Sequence, residues 1–149
     1  MKGDTVSVQR LIPAPPEEIF ALLADAAKHR EFDGSGTVVG TRGDSRPLTL
    51  GTKFGMSMKM GLPYSMANVV IEFEENRRIA WKTTGFGGLL GGRIWRYELE
   101  PADGGTTVTE TWDLSEDKQR FFLKRSKFPE TTRSNMAKTL KRIEAAVAD

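Results

Sequence analysis

Between Thr37 and Leu114 apolar and polar positions alternate in short runs, whereas the flanking segments return apolar residues every three or four positions. The first rhythm predicts half-buried strands and the second amphipathic helices. Asp4 to Ile12 alternates around Val6 and Val8, which predicts a first strand. The run Pro13-Ala14-Pro15-Pro16-Glu17-Glu18 then marks a helix entry. Proline fits a first turn, where its missing N–H would have no partner, and acidic residues favour the positive end of the helix dipole. Ile19, Phe20, Leu22 and Leu23 make this a short amphipathic helix. A second short helix is expected over Ala26 to Phe32, ending at the turn Asp33-Gly34-Ser35-Gly36.

Six more strands follow. Thr37 to Thr41 is broken by Gly43-Asp44-Ser45-Arg46-Pro47. Lys53 to Met60 aligns Phe54, Met56, Met58 and Met60, and Gly61-Leu62-Pro63 turns the chain. Ser65 to Phe73 carries Ala67, Val69, Ile71 and Phe73 on one face. Glu75-Asn76-Arg77 turns into Ile79 to Thr83, whose shared face holds Ile79 and Trp81. Arg93 to Glu100 aligns Trp95, Tyr97 and Leu99, and Thr106 to Leu114 aligns Val108, Trp112 and Leu114. Asp103-Gly104-Gly105 joins these two as a hairpin. Gly85 to Gly92 reads as a flexible loop with apolar tips at Phe86, Leu89 and Leu90; it lacks the sequence context of a phosphate-binding loop. Pro129 and Glu130 open a last helix whose Met136, Leu140, Ile143 and Val147 form one stripe. From Glu130 to Val147 it would run about 27 Å.

The expected fold class is α+β: a curved antiparallel sheet of about seven strands wrapped around a long C-terminal helix, with two short helices after strand one. Residues 1–149 form one domain in this reading. Each strand has one apolar face and needs one covering layer, for which only the last helix is long enough. Curvature is assigned to bulges and to glycines such as Gly55 and Gly61. A sheet bent around one helix leaves an apolar, ligand-sized volume at its open end.

Composition narrows the chemistry. The 149 residues include no cysteine and a single histidine, which excludes disulfides, thiolate sites and multi-histidine metal centres. No metal and no cofactor are expected. No segment approaches the ~20 apolar residues of a membrane span, so the default location is cytoplasmic. The balance of 22 basic and 20 acidic residues is too even to imply nucleic acid. The basic residues nevertheless concentrate between Lys118 and Arg142. That stretch reads as a solvated helix face or as a surface for anionic lipid or an acidic partner. Oligomeric state is left open.

The segments Val8 to Phe20 (VQRLIPAPPEEIF) and Leu23 to Val38 (LADAAKHREFDGSGTV), completed by the terminal amphipathic helix, carry a family likeness over essentially the whole chain. The chain resembles the helix-grip superfamily (SRPBCC) of START lipid-transfer domains, birch-pollen-allergen-like proteins and bacterial polyketide cyclase/dehydrase-like proteins. It is most similar to the small bacterial polyketide-cyclase-like branch. The resemblance implies the fold; it implies function only loosely, because one fold hosts many functions. Lipid carriers, hormone receptors, aromatic-ring cyclases, oxygenase domains and co-chaperone-like proteins share it. The oxygenase role needs an iron site that these residues cannot supply.

The proposed lining comprises Phe54, Met56, Met58, Trp81, Trp95, Tyr97, Val108 and Trp112, covered by Met136 and Leu140. An ordinary packed core uses the same residue types; methionines and aromatics also suit an adaptable apolar ligand. Alternation places Glu110 on the inward face with Val108 and Trp112. There it would act as a ligand anchor or a proton-transferring group, unless a strand shift or an inward arginine neutralises it. His29, within Lys28-His29-Arg30-Glu31, is expected to be exposed, although its helix lies near the cavity mouth of the resembled fold. Asp33 is expected to stabilise its turn. Three functions follow: binding or transport of a hydrophobic lipid, polyketide or aromatic metabolite; cyclase/dehydratase chemistry using Glu110 with Tyr97 or His29; or protein interaction through the basic C-terminal surface. Transient contact with a membrane surface accompanies the first.

Overall fold

A computed structural model describes residues 3–33, 38–42, 47–60 and 62–148; the side chains of 27, 30, 38–42, 56–60 and 62–65 lie outside that description. Strand β1 (Thr5–Ile12) leads into helix α1 (Pro16–Leu23), a 3-10 turn (Ala26–Lys28) and helix α2 (His29–Phe32). Strands β2 (Val38–Arg42), β3 (Lys53–Met60), β4 (Leu62–Glu74), β5 (Arg78–Gly85), β6 (Leu90–Ala102) and β7 (Gly105–Asp113) follow. Helices α3 (Arg120–Arg125) and α4 (Phe128–Val147) close the chain. The strands form one antiparallel sheet in the order β1-β7-β6-β5-β4-β3-β2. The expected turn at Gly34 to Gly36, the break at Gly43 to Arg46, and Gly61 fall outside the described residues.

Bulges in the ladders stand at Val38/Gly40, Val70/Glu72 and Thr83/Thr84. Gly55 is not one of them: it pairs in register with Arg42 and Ala67. The bulge in β4 corrects the expected facing of that strand. Ala67 is exposed, while Asn68 and Val70 are buried, so the inward set runs opposite to simple alternation. The extra residue at Ile71 then shifts the parity, and Phe73 joins the core.

Helix α4 is two residues longer than expected at its start, and its twenty residues span about 30 Å. Thr132, Met136, Thr139, Leu140 and Ile143 are its buried face. It packs most extensively on β1 and α2, and β7, α1 and α3 also lie against it. The covering layer is therefore shared between α4 and the two short helices, not supplied by α4 alone. Helix α3, absent from the sequence expectation, buries Leu123 beneath Met136 and Trp112. The interior divides into a large cluster around Ile19, Leu23, Trp81 and Ile143 and a smaller one around Val6, Trp112, Leu123 and Met136. Val8 and Trp95 touch both.

The β6–β7 hairpin turns on adjacent glycines with different demands. Gly104 adopts φ +85° with open space where a Cβ would sit. At Gly105 an added Cβ would lie 2.1 Å from the Ile12 carbonyl oxygen, where the end of β1 crosses the turn. Gly104→Ala is expected to destabilise by about 1 kcal/mol through its left-handed backbone alone. Gly105→Ala is expected to cost about 3 kcal/mol or more, because backbone must move. Chemical denaturation of both variants checks this; equal midpoint shifts would mean that the close approach is not a constraint.

Candidate functional site

The ladder register brings the inward side chains into two parallel rows. Val70, Trp81, Trp95, Trp112 and Val6 stand opposite one another in sequence across β4, β5, β6, β7 and β1. Phe73, Ile79, Tyr97, Glu110 and Val8 form the next row. Between the rows the Trp81 and Tyr97 rings meet diagonally at 5.6 Å. Phe54 from β3 approaches Trp81 edge-on at 5.9 Å, and Trp95 lies 6.3 Å from Trp112. The result is an aromatic wall across the concave face.

Glu110 sits in that wall with only 2% of its surface exposed. The Tyr97 side chain stands directly opposite on β6, close enough to influence its carboxyl group. Its Oε1 has no partner among the described residues. Burial pushes the Glu110 pKa from 4.5 to about 8; the Tyr97 side chain opposes the rise and the charge of Asp33 adds to it. The carboxyl therefore holds its proton near neutrality. Burial, and then the Glu110 charge, keeps the Tyr97 phenol well above its usual value. Among the described residues no arginine pairs with Glu110, and no strand shift turns it outward.

His29 corrects the sequence expectation: it is 2% exposed, not a surface residue. Its ring stacks on Trp81 at 4.7 Å and meets Phe32 and Phe54 edge-on. Its Nε2 lies 2.9 Å from the Leu23 carbonyl oxygen, to which it donates, leaving Nδ1 as an acceptor without a described partner. Burial lowers its pKa from 6.5 to about 4, so the ring is neutral. A usable signal existed in the sequence: His29 and Phe32 are three apart and share one helical face. Asp33, expected only to shape a turn, is close enough for its charge to raise both Glu110 and Tyr97. Arg142 of α4 donates to the Asp33 carbonyl oxygen, tying the end of α2 to the covering helix.

The remaining candidates divide between the clusters. Phe54, Trp81, Tyr97, Val108 and Leu140 gather in the larger one, with Glu110 at its edge. Trp112 and Met136 belong to the smaller, and Trp112 Nε1 is a third buried polar atom without a described partner. The side chains of Met56 and Met58 lie outside the described residues. Sequence reasoning missed a buried polar pair: Thr83 donates to Asn68 Oδ1 at 2.6 Å, and Asn68 Nδ2 donates to the Phe54 carbonyl at 3.4 Å. The bulge in β4 concealed it by reversing which residues face inward.

A family model described as polyketide cyclase / dehydrase and lipid transport matches residues 4–148. An uncharacterized protein of Mycobacterium tuberculosis is 41% identical over 104 residues, which is 68% of this chain and 44% of that protein. The match thus spans less than half the length of this relative. Among solved structures, a Chromobacterium violaceum protein superposes with a TM-score of 0.74 at 17% identity, covering 98% of this chain and 99% of that one. A polyketide-cyclase-like protein of Corynebacterium glutamicum gives 0.62 at 24% identity, with 99% and 93% covered. An AHSA1-like protein of Aeromonas hydrophila gives 0.66 at 17%, with 95% and 93% covered. These likenesses place the fold in the helix-grip class.

Glu110 and His29 give stability opposite pH slopes. Glu110 binds its proton more tightly folded than unfolded, so stability falls as pH rises from about 4.5 to about 8. His29 resists protonation when folded, so stability falls as pH drops from about 6.5 to about 4. Glu110→Gln is expected to abolish the alkaline decline and to gain on the order of a few kcal/mol over wild type above pH about 8. Thermal unfolding across this range measures it. Parallel curves for wild type and variant would mean that Glu110 is not protonated in the interior.

Proposed function

This chain belongs to the polyketide cyclase/dehydrase and lipid transport family of the SRPBCC superfamily, and from that premise we propose that it binds a small hydrophobic molecule between the sheet and α4. The supporting observation is three buried polar atoms (Glu110 Oε1, His29 Nδ1 and Trp112 Nε1) set in an aromatic wall without partners among the described residues. Buried polar groups left unpaired cost roughly 1–3 kcal/mol each, which a ligand's own polar atoms would recover.

Their chemistry restricts the occupant. Trp112 Nε1 can only donate, so it calls for a ligand oxygen. His29 Nδ1 can only accept while Nε2 serves the Leu23 carbonyl, so it calls for a ligand hydroxyl or amine. Protonated Glu110 adds a hydrogen-bonding group that carries no charge. The best fit is a flat, largely apolar molecule bearing keto and hydroxyl groups, such as a polyketide or hydroxylated aromatic metabolite. A plain hydrocarbon chain would satisfy none of the three.

A second reading adds chemistry at the same place. A carboxyl group that titrates near 8 is suited to donating and recovering a proton at neutral pH, and Tyr97 stands beside it. In a cyclase or dehydratase, Glu110 would move the proton and the aromatic wall would hold the substrate flat.

Native mass spectrometry of freshly purified protein, with extraction of bound material, is expected to yield a discrete oxygenated apolar ligand. Glu110→Gln and Tyr97→Phe are each expected to weaken its binding about tenfold, the scale of one buried hydrogen bond. Unchanged affinity in both folded variants would refute the anchor. Turnover that vanishes in Glu110→Gln while binding persists would establish the second reading.

A further inference from the structure

Six large apolar side chains are exposed at one end of the molecule. Phe86 (70% exposed) and Leu89 (74%) lie on the β5–β6 connection and Leu90 opens β6, and Phe121 (65%), Phe122 (69%) and Phe128 lie on α3 and the start of α4. Backbone and side-chain bonds bring the two groups together. The Lys118 amide donates to the Gly91 carbonyl at 2.9 Å, and the Gly91 amide donates to Gln119 Oε1 at 2.7 Å. Gln119 Nε2 reaches the Leu89 carbonyl, and Lys118 Nζ the Gly88 carbonyl. At Gly92 the approach is closer still: a Cβ there would lie 2.4 Å from the Glu116 carbonyl oxygen. The connection and the segment entering α3 therefore form one apolar tip.

The rim of that tip is basic. Lys118, Arg120, Lys124, Arg125 and Lys127 fall within ten residues. Glu116 is engaged with Lys82 at 3.1 Å and Asp117 with Arg93 at 3.1 Å, while Lys124 pairs with Asp4 at 3.0 Å, which leaves Lys118, Arg120, Arg125 and Lys127 to set the charge of the rim. The Arg120 guanidinium lies 5.0 Å over the Phe121 ring, so cation and apolar surface are presented together.

We propose that this tip docks on an anionic lipid bilayer, inserting its phenylalanine and leucine side chains while the surrounding cations meet headgroups. Charge complementarity selects this occupant. A second copy of the chain would set cations against cations, whereas an anionic surface attracts them and the acyl boundary accepts the aromatic tips. The surface is independent of any ligand held inside.

Vesicle flotation of the full chain tests it, with phosphatidylcholine vesicles compared with vesicles containing phosphatidylglycerol. Binding is expected only to the anionic vesicles and is expected to weaken with salt. Phe86→Ser with Leu89→Ser, or Phe121→Ser with Phe122→Ser, should each reduce it about tenfold or more. Arg125→Glu or Lys127→Glu should each reduce it roughly fivefold or more. All four positions of the serine variants are exposed, so the thermal transition should not move. No flotation, or flotation indifferent to the serine variants, overturns the proposal. Self-association of the chain without vesicles, abolished by the same variants, assigns the tip to a second copy and overturns it equally.

Discussion

A single helix is about 10 Å wide, and a flat seven-stranded sheet is about 30 Å across. The sheet must therefore coil, and the bulges at Val38/Gly40, Val70/Glu72 and Thr83/Thr84 accompany that coiling. Everything functional depends on this constraint. Curvature turns Trp81, Tyr97 and Glu110, which sit on three successive strands, toward a common interior. It also leaves the β2–β5 side beyond the reach of α4, so α1 and α2 complete the cover. The second of these helices brings His29 onto Trp81 and Asp33 into the field of Glu110.

The outer face of the sheet solves the opposite problem. Arg96 on β6 bridges Glu72 on β4 at 2.7 Å and Asp113 on β7 at 3.4 Å, and its guanidinium holds the Glu72 carboxyl below its usual range. Charges outside are paired across strands, whereas the polar atoms inside are left partly unpaired. That asymmetry separates a surface optimised for stability from an interior that tolerates a cost.

The alternation of β5, β6 and β7 was legible because both ladders run with little interruption through the aromatic rows. It placed Trp81, Tyr97, Val108, Glu110 and Trp112 inside from sequence alone. The helix stripe on α4 was equally plain. Where the reading erred, a non-local cause was at work. The β4 bulge is dictated by pairing with β5, so Ala67 and Val69 looked inward when Asn68 and Val70 are. His29 looked exposed because its neighbours in sequence are charged, yet its neighbours in space are Phe32, Phe54 and Trp81. Helix α3 is six residues long, too short for periodicity to announce.

Tyr97 and Glu110 are directly opposite partners in the β6–β7 ladder. A slip of one residue would send one side chain to the outer face, into water, and the other would lose its partner. The protonated carboxyl thus exists only in the correct register. The interior acid becomes a reporter on assembly: a protonated-carboxyl signature that persists at neutral pH marks chains whose last hairpin has paired as it should, distinguishing them from compact molecules of equal strand content that have not.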